Sequence, residues 1–320
     1  MQKLSLILAI VLFSATAVAD HSTRKFEFSY RVLAGQFPNH DAVDIFIPLP
    51  VENSDQQILE TRFRTSMPGE ELSEAVHGNR YYQIRRPANI NGPIDAEFTW
   101  VVERRVVTAS AGTLSEEERQ RYLAPNLLVP VGHEILAPIQ AEIHAMRGDD
   151  SASATARAIY DWIVDNVEYK KVGTGWGNGD TFWACSERYG NCTDFHALFV
   201  ALARSEGIPA RFEIGFPVPE DKPRGRIDGY HCWVQFYLPG QGWIPIDASE
   251  AAKHPEKREL FYGTHPADRI HLSTGRDLVL SEASKSQPLN YFIYPHVEVG
   301  GIPWKVDLET EFSFRELDPG

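Results

Sequence analysis

Three residues whose types can cooperate in nucleophilic catalysis stand in the order Cys192, His231 and Asp247. Cys192 opens an apolar-periodic run that ends at Gly207, and the pair Gly190-Asn191 before it is typical of a helix start. We therefore predict that Cys192 lies in the first turn of a helix. Unpaired backbone amides there lower the pKa of a thiol and can receive an oxyanion. The residue types predict a nucleophile, a base and a carboxylate that orients the base.

The base and the carboxylate lie on neighbouring predicted strands. Apolar alternation begins at His231, and a second short strand at 243–247 follows a glycine-containing turn. A hairpin of this kind brings His231 close to Asp247, which can then hold one ring nitrogen and fix the tautomer. The same alternation points the side chain of Cys232 to the face opposite His231, which favours a core position for Cys232.

A metal site is an alternative use of some of the same residues. Cys192 and His196 are four residues apart on one face of the predicted helix, and with another cysteine or His231 they could bind zinc. The sequence contains none of the spacings C-x-x-C, H-x-x-x-H or H-E-x-x-H, and no calcium loop. The glycine-rich residues 173–179 lack the phosphate-loop pattern. We expect no metal and no cofactor, and we expect His196 to pack or to support the site.

The chain has three cysteines, an odd number for an exported protein. An oxidising compartment tends to pair two of them. If Cys192 stays a thiol, Cys185 and Cys232 are the pair most able to form a bridge. The alternative is three unpaired buried thiols, because sequence does not show whether two Cα atoms come close enough.

The amino terminus has the features of a cleavable export signal. Lys3 precedes an apolar run over residues 4–13, and residues 17–19 read Ala-Val-Ala. We expect a signal peptide at 1–19 and a periplasmic or secreted protein, with an uncleaved anchor as the alternative. No other apolar run reaches about 18 residues, so no further membrane span is expected. The net charge of -13 and the lack of a basic run argue against nucleic acid and anionic membranes as partners.

The remaining chain divides into a β-rich part, a connector and an α+β part. Period-2 alternation over residues 20–108 predicts an antiparallel β-sandwich domain. Residues 109–150 have an acidic helix start at Ser115 and three prolines, which suggests a connector. Residues 151–320 open with a helix at about 152–167 and continue with the cysteine helix and the hairpin. Their tail has strand-like runs, such as residues 291–294 and 312–314.

Four stretches together resemble the transglutaminase-like superfamily, in particular its bacterial exported members. They are Gly190-Asn191-Cys192-Thr193-Asp194-Phe195, Arg204-Ser205-Glu206-Gly207-Ile208-Pro209-Ala210-Arg211, His231-Cys232-Trp233 and Trp243-Ile244-Pro245-Ile246-Asp247. The resemblance covers residues 152–252 closely and the chain to 295 more loosely.

The resemblance implies a papain-like α+β transglutaminase core with a Cys-His-Asp triad. It places Cys192 as the nucleophile, His231 as the base and Asp247 as the residue that orients the base. The amino-terminal sandwich becomes an accessory domain. The side chain that stabilises the oxyanion in the family has two candidates here, Trp176 and Trp183.

The residues and the resemblance together predict an exported cysteine-dependent hydrolase of protein or peptide amides that acts through a thioester acyl-enzyme. The family also includes protein cross-linking enzymes and members without activity. A protein-glutamine transamidase and a non-catalytic periplasmic binding or scaffold protein are therefore the alternatives. Hydrolysis is favoured because the sequence shows no feature dedicated to an amine donor.

Overall fold

The computed structural model describes residues 23–35, 37, 41–90, 92–305 and 308–318, so the predicted signal peptide lies outside the described residues. The strands, in chain order, are β1 (Thr23–Ala34), β2 (Val43–Pro48), β3 (Gln56–Thr65), β4 (Gly69–Ser73), β5 (Arg80–Arg86), β6 (Ile94–Arg105), β7 (Val107–Thr108), β8 (Glu168–Tyr169), β9 (Tyr189–Gly190), β10 (Ala210–Pro217), β11 (Arg224–Arg226), β12 (His231–Leu238), β13 (Gly242–Ile246), β14 (Thr264–His265), β15 (Arg269–Thr274), β16 (His296–Val299), β17 (Ile302–Pro303) and β18 (Leu308–Leu317). The α-helices are α1 (Glu116–Leu123), α2 (Ala137–Met146), α3 (Ala152–Asn166), α4 (Thr181–Glu187), α5 (Cys192–Ser205) and α6 (Ala248–Lys253), and short 3₁₀ helices lie at Glu134–Leu136 and Pro255–Lys257.

The amino-terminal part forms two five-stranded sheets in which the described pairs are antiparallel. Their strand orders are β11-β18-β1-β6-β3 and β17-β16-β2-β5-β4. In β1, Phe26, Phe28, Tyr30 and Val32 are fully buried, while the residues between them are partly exposed. This is the pattern that period-2 alternation predicts for a sheet with one face on a core. The predicted α+β class, with antiparallel sheets ahead of a mixed helix and sheet unit, is confirmed.

The last strands of the chain complete these two sheets. β18 pairs with β1, so that Phe314 lies opposite Phe28, and β16 pairs with β2. The β-rich tail expected for residues 151–320 is therefore present, and it pairs with the amino-terminal sheets. The division of the chain into domains at 108 and 150 stays a prediction.

A four-stranded antiparallel sheet and a central helix form the second part of the fold. The sheet has the order β13-β12-β10-β15, and α5 packs against β12 and β10. The sequence predicts α5 from its apolar face, but every residue from Cys192 to Arg204 is buried. A helix that is covered on all sides lies at the centre of its unit. α3 and α6 pack on α5, and α3 begins at the cap residue Ser151.

The strand-like run at residues 291–294 is not a strand, so that expectation was wrong. The segment is irregular. Its adjacent residues Phe292 and Ile293 are both buried, whereas adjacent residues of a strand alternate between a buried and an exposed face. The Tyr291 hydroxyl donates to the Gly177 carbonyl (3.1 Å), and Ser273 donates to the Phe292 carbonyl. These bonds replace a strand ladder and hold the segment beside the glycine-rich loop.

One hydrophobic core connects the sandwich to the second sheet. The ring of Phe216 on β10 lies 5.7 Å from that of Phe28 and 4.1 Å from that of Phe312, measured between centroids. All three belong to the same cluster of buried side chains as Cys192. In the part of the chain that the structure describes, we find no helix with the length and apolar character needed to cross a membrane.

Candidate active site

Cys192 is the first residue of α5, where a capping box starts the helix. The Asn191 side chain accepts from the Thr193 N–H (2.8 Å), and the Asp194 side chain accepts from the Asn191 N–H (2.9 Å). These two bonds satisfy amides that a helix start otherwise leaves open. They fix the backbone on both sides of Cys192, whose residue surface is only 2% exposed.

Asp194 also ties the glycine-rich loop to the helix start. Its carboxylate accepts from the N–H groups of Gly177 (2.7 Å) and Gly179 (3.0 Å). Burial raises the pKa of Asp194, and the backbone N–H bonds oppose that shift. Gly190 is required here because a Cβ at this position would collide with the Asp194 carboxylate. The loop at 173–179 therefore has a structural partner in this helix, and the Asp194 carboxylate fills its amide cradle.

His231 and Asp247 are joined by a hydrogen bond of 2.7 Å between His231 Nε2 and Asp247 Oδ2. His231 begins β12, and Asp247 follows β13, with which β12 pairs. Asp247 also caps α6 by accepting from the Glu250 N–H (3.0 Å). The hairpin thus brings the two residues together as its spacing predicted.

Burial and mutual attraction oppose each other in the His231–Asp247 pair. Burial alone raises the pKa of Asp247, but the charge of His231 and hydrogen bonds from His196 and His231 hold it well below its usual range. Burial alone lowers the pKa of His231, but the charge and hydrogen bond of Asp247 raise it to about 10. Both groups are therefore charged at neutral pH.

The Cys192 thiol interacts with the same His231 imidazole that Asp247 holds. Burial raises the pKa of Cys192, but hydrogen bonds with Cys232 and His231 and the charge of His231 bring it well below its usual range. Because Asp247 holds Nε2, the Nδ1 atom is the ring nitrogen left for the thiol. The structure thus brings the three predicted residues together, and its electrostatics favour a thiolate beside an imidazolium.

Arg269 balances the charge of this buried group. Its Nη1 donates to Asp247 Oδ2 (3.1 Å), and its guanidinium lies over the Trp233 ring, 4.9 Å from the centroid. Ser249 donates to Asp247 Oδ1 (3.0 Å). Cys192 and Asp247 thus face two positive groups, His231 and Arg269, and these cations are also contacted from the edge of the site by Glu250 and Asp268. Charged side chains can stay buried when each is paired with an opposite charge.

No pattern in the sequence pointed to Arg269. It reaches the site because β15 pairs with β10, which pairs in turn with β12. Gly215 of β10 lies opposite His231, and a Cβ on it would collide with the backbone of Ile270 on β15. The close approach of β15 therefore depends on this glycine.

Cys232 and His196 lie inside the site. His196 Nδ1 is 3.3 Å from Cys232 Sγ, and His196 Nε2 is 3.5 Å from Asp247 Oδ1. Cys232 is buried, as the alternation predicted, but it borders Cys192. All three cysteines are unpaired, as in the second of the two alternatives that the sequence left open, but only Cys192 and Cys232 are buried and Cys185 is half-buried.

Neither tryptophan offers a free indole N–H to the thiol. Trp176 donates to the Gly173 carbonyl and Trp183 to the Tyr189 carbonyl, each at 3.2 Å. Tyr230 stands at the helix start instead: its hydroxyl lies 2.8 Å from the Thr193 hydroxyl. The sequence patterns gave no signal for this tyrosine, although it immediately precedes His231.

The described residues include one group with the donor atoms for a cation, namely His231, Asp247 and Glu250, whose ligand atoms lie within 4.8 Å of one another. Cationic side chains already contact its acids: Arg269 bonds Asp247, and Lys253 pairs with Glu250. The group's charge is thus compensated by the protein itself.

Residues 140–248 match the family model described as the transglutaminase-like superfamily, and this range contains Cys192, His231 and Asp247. The chain therefore contains a transglutaminase-like superfamily domain. A crystal structure titled "Putative Cysteine Protease" from Cytophaga hutchinsonii has a TM-score of 0.61, covers 93% of this chain and 92% of that one, and is 19% identical. At that identity the match shows the fold, and it extends over the sandwich as well as the core.

Two curated proteins match parts of the chain. An uncharacterized protein of Haemophilus influenzae is 31% identical over 191 residues, which are 50% of this chain and 52% of that protein. A protein-glutamine gamma-glutamyltransferase of Pseudomonas aeruginosa is 29% identical over 132 residues, which are 39% of this chain and 17% of that protein. The chain thus spans about half the length of the first relative and a smaller share of the second.

Proposed function

We propose that the protein is an exported cysteine-dependent hydrolase of protein or peptide amides. The observation that carries the proposal is the 2.7 Å bond between His231 and Asp247, with Cys192 at the start of α5 near enough to the same imidazole for it to lower the pKa of the thiol. A charged nucleophile, a protonated base and a carboxylate that holds the base are the parts that acyl transfer by a thiol requires. Export is proposed from the signal pattern at residues 1–19.

In the proposed reaction the Cys192 thiolate attacks the carbonyl carbon of the amide. The backbone N–H of Cys192, the amide at the start of α5 that the capping box does not use, receives the oxyanion. His231 donates its proton to the leaving amine, which departs and leaves a thioester on Cys192. Water then attacks the thioester, His231 takes a proton from it, and the acid leaves with the thiolate restored.

A protein-glutamine transamidase is the second candidate function. The similarity to the Pseudomonas gamma-glutamyltransferase favours it. In that reaction a primary amine takes the place of water at the thioester, and the residues keep their roles. A binding or scaffold protein that never forms the thioester is the third possibility, and the same experiment separates all three.

The test uses glutamine-containing peptides, each incubated with and without a primary amine such as methylamine, and product masses are measured. A hydrolase gives the acid with or without the amine, whereas a transamidase gives an amine-linked product. Cys192→Ala is the control and should give neither product. If the wild-type protein and Cys192→Ala behave alike across peptides and protein substrates, the enzyme proposal is lost and a binding role takes its place.

A further inference from the structure

A second thiol lies beside the proposed nucleophile, and acyl transfer does not use it. Cys232 is fully buried and belongs to the same cluster of buried side chains as Cys192. Burial and the neighbouring Cys192 raise the pKa of Cys232 well above its usual value, so Cys232 is the protonated member of the pair. Alternation along β12 places Cys232 on the same face as Val234 and Phe236, which belong to the core around α5. Because Cys232 lies on the face of β12 opposite His231, it packs against α5, the helix that carries Cys192.

Cys232 has an imidazole of its own. His196 lies one helical turn after Cys192, and its Nδ1 is 3.3 Å from Cys232 Sγ. Its Nε2 faces Asp247 Oδ1 at 3.5 Å. An ionised carboxylate can only accept, so it favours a proton on Nε2 and leaves Nδ1 as the acceptor for the Cys232 S–H.

Asp247 thus supports two thiol–imidazole pairs, one through each oxygen. Oδ2 holds His231, which serves Cys192, and Oδ1 faces His196, which serves Cys232. The thioester reaction needs only the first pair. The second pair places a thiol with a proton acceptor next to the sulfur most open to oxidation, because thiolates react with peroxides much faster than thiols do.

We propose that Cys192 and Cys232 are a modification site: after oxidation of Cys192 by a hydroperoxide they form a reversible disulfide, with His196 as the base that activates Cys232. The inference rests on the reactive Cys192 of the proposed function, but it does not require that the protein ever transfers an acyl group. The disulfide removes the nucleophile from the acyl-transfer reaction until a thiol reductant restores it.

The chemistry balances in two steps. The Cys192 thiolate attacks one peroxide oxygen, the S–O bond forms, the O–O bond breaks, and the leaving alkoxide or hydroxide takes the proton of His231. Cys232 then gives its proton to His196 and attacks the Cys192 sulfur. The S–S bond forms, the S–O bond breaks, and the leaving hydroxide takes that proton from His196 and departs as water. Two thiols are oxidised to a disulfide, one hydroperoxide is reduced to an alcohol (to water if it is hydrogen peroxide), and the sulfenic oxygen leaves as one molecule of water.

Cys185 provides a matched control within the same chain. It lies on α4 and is half-buried, and burial raises its pKa to about 11, so it is mostly protonated at neutral pH. The charged side chains near it are Arg188 and Asp180, and neither is an imidazole. A general tendency of this protein to oxidise would involve Cys185, whereas the proposed site would not.

The experiment treats the reduced full chain and its variants Cys185→Ser, Cys232→Ala and Cys232→Ser with hydrogen peroxide. Remaining thiols are then blocked in acid and the peptides are mapped by mass spectrometry. We expect the wild type and Cys185→Ser to yield one linked pair of peptides, containing Cys192 and Cys232, and to regain both thiols with dithiothreitol. In both Cys232 variants we expect Cys192 to proceed to the sulfinic acid, which dithiothreitol does not reverse.

The peptide map of the wild-type protein tests the proposed disulfide even if a variant fails to fold. Over-oxidised Cys192 without a link to Cys232, a link that involves Cys185, or no loss of thiols at all would each overturn the proposal. Amide turnover is assayed on the same samples. If the disulfide forms but the protein turns over no amide, this inference stands and the proposed function fails. If the protein turns over amides but forms no disulfide, the proposed function stands and this inference fails.

Discussion

At the scale of single residues, the charge state of Cys192 determines what the site can do. A buried thiol is normally a poor nucleophile because burial favours its neutral form. Here the hydrogen bonds of Cys232 and His231 and the charge of His231 overcome burial. Asp247 and Arg269 complete a group whose charges cancel, which reduces the cost of keeping the ion pair out of water.

The ion pair predicts a distinctive pH dependence of Cys192 alkylation by iodoacetamide. The rate should already be at its plateau at neutral pH and should fall only in acid, because the pKa of Cys192 lies well below its usual value of 9.0. Amide turnover should also fall in alkali, as His231 loses its proton near pH 10, while alkylation stays fast. His231→Ala should slow alkylation at pH 7 by about tenfold or more. A wild-type midpoint equal to that of the unfolded chain would rule out the ion pair.

Removing the charge of Arg269 should raise the pKa of Cys192. Arg269→Gln leaves one excess negative charge in the buried group, and protonation of the thiol is the readiest way to relieve it. We expect the alkylation midpoint to rise by about one pH unit or more. Arg269→Lys keeps a cation there and should restore most of the shift. A folded Arg269→Gln protein with an unchanged midpoint would show that this arginine does not balance the site.

At the scale of elements, the cysteine helix and the hairpin could be predicted because each has a local signature. Asn191 caps α5, Gly207 follows its end at a φ of +74°, and the turn between β12 and β13 sets their register. β15 has no such signature: it enters the site only through its pairing with β10. The irregular segment at 291–294 also escaped prediction, because its bonds reach residues outside it: the Tyr291 hydroxyl donates to the Gly177 carbonyl, and the Phe292 carbonyl accepts from Ser273.

The face of β12 opposite α5 carries a buried polar network centred on Glu213. Its carboxylate accepts from the Trp233 indole (2.7 Å) and from Gln235 (3.2 Å), and Arg211 lies 2.9 Å away. Burial raises the pKa of Glu213, but the charge of Arg211 and the imidazoles of His271 and His265 bring it down to about 2. This network holds Trp233, on which Arg269 is stacked.

Glu213→Gln should lower the free energy of unfolding at neutral pH by about 3 kcal/mol, since the carboxylate's pKa falls from its usual 4.5 to about 2 on folding. A carboxyl whose pKa is lower in the folded than in the unfolded protein stabilises the fold at pH values above its unfolded-state pKa. The wild type should therefore lose this contribution as the pH falls from 4.5 through 2, and the variant, which lacks the carboxyl, should not. Urea unfolding at several pH values measures both. The control is Glu97→Gln in an exposed ion pair with Arg64, which should cost less than about 1 kcal/mol. Equal losses in the two variants would contradict the account.

At the scale of the whole molecule, the sandwich and one face of the second sheet share a hydrophobic cluster, while α3, most of α5 and the other face of that sheet form a second cluster. Sequence patterns could predict both layers from their periodicities, since alternation and helical spacing are local. They could not show that β18 returns to pair with β1, because period-2 alternation specifies a buried face and no partner. The positions of Phe216 and Phe312, which meet across more than ninety residues of chain, depend on that return.

Phe216→Ala should therefore destabilise both parts together. Loss of this buried ring should cost about 3–5 kcal/mol, and calorimetry should still show one transition with equal calorimetric and van't Hoff enthalpies. Phe63→Ala is the control, because that ring on β3 is 57% exposed and its loss should change stability little. Two separate transitions, with only one of them shifted by Phe216→Ala, would show that the sandwich and the core are independent.

The central claim, that Cys192 carries the acyl group of an amide substrate, is tested most directly by trapping the acyl-enzyme. The protein is mixed with a glutamine-containing peptide that it turns over and quenched in acid within the first turnover, and its mass is measured intact and after digestion. We predict an adduct with the mass of the acyl group, located on the peptide that contains Cys192, removed by hydroxylamine and absent from Cys192→Ala. Turnover without any adduct on Cys192, or undiminished turnover by Cys192→Ala, would contradict the claim.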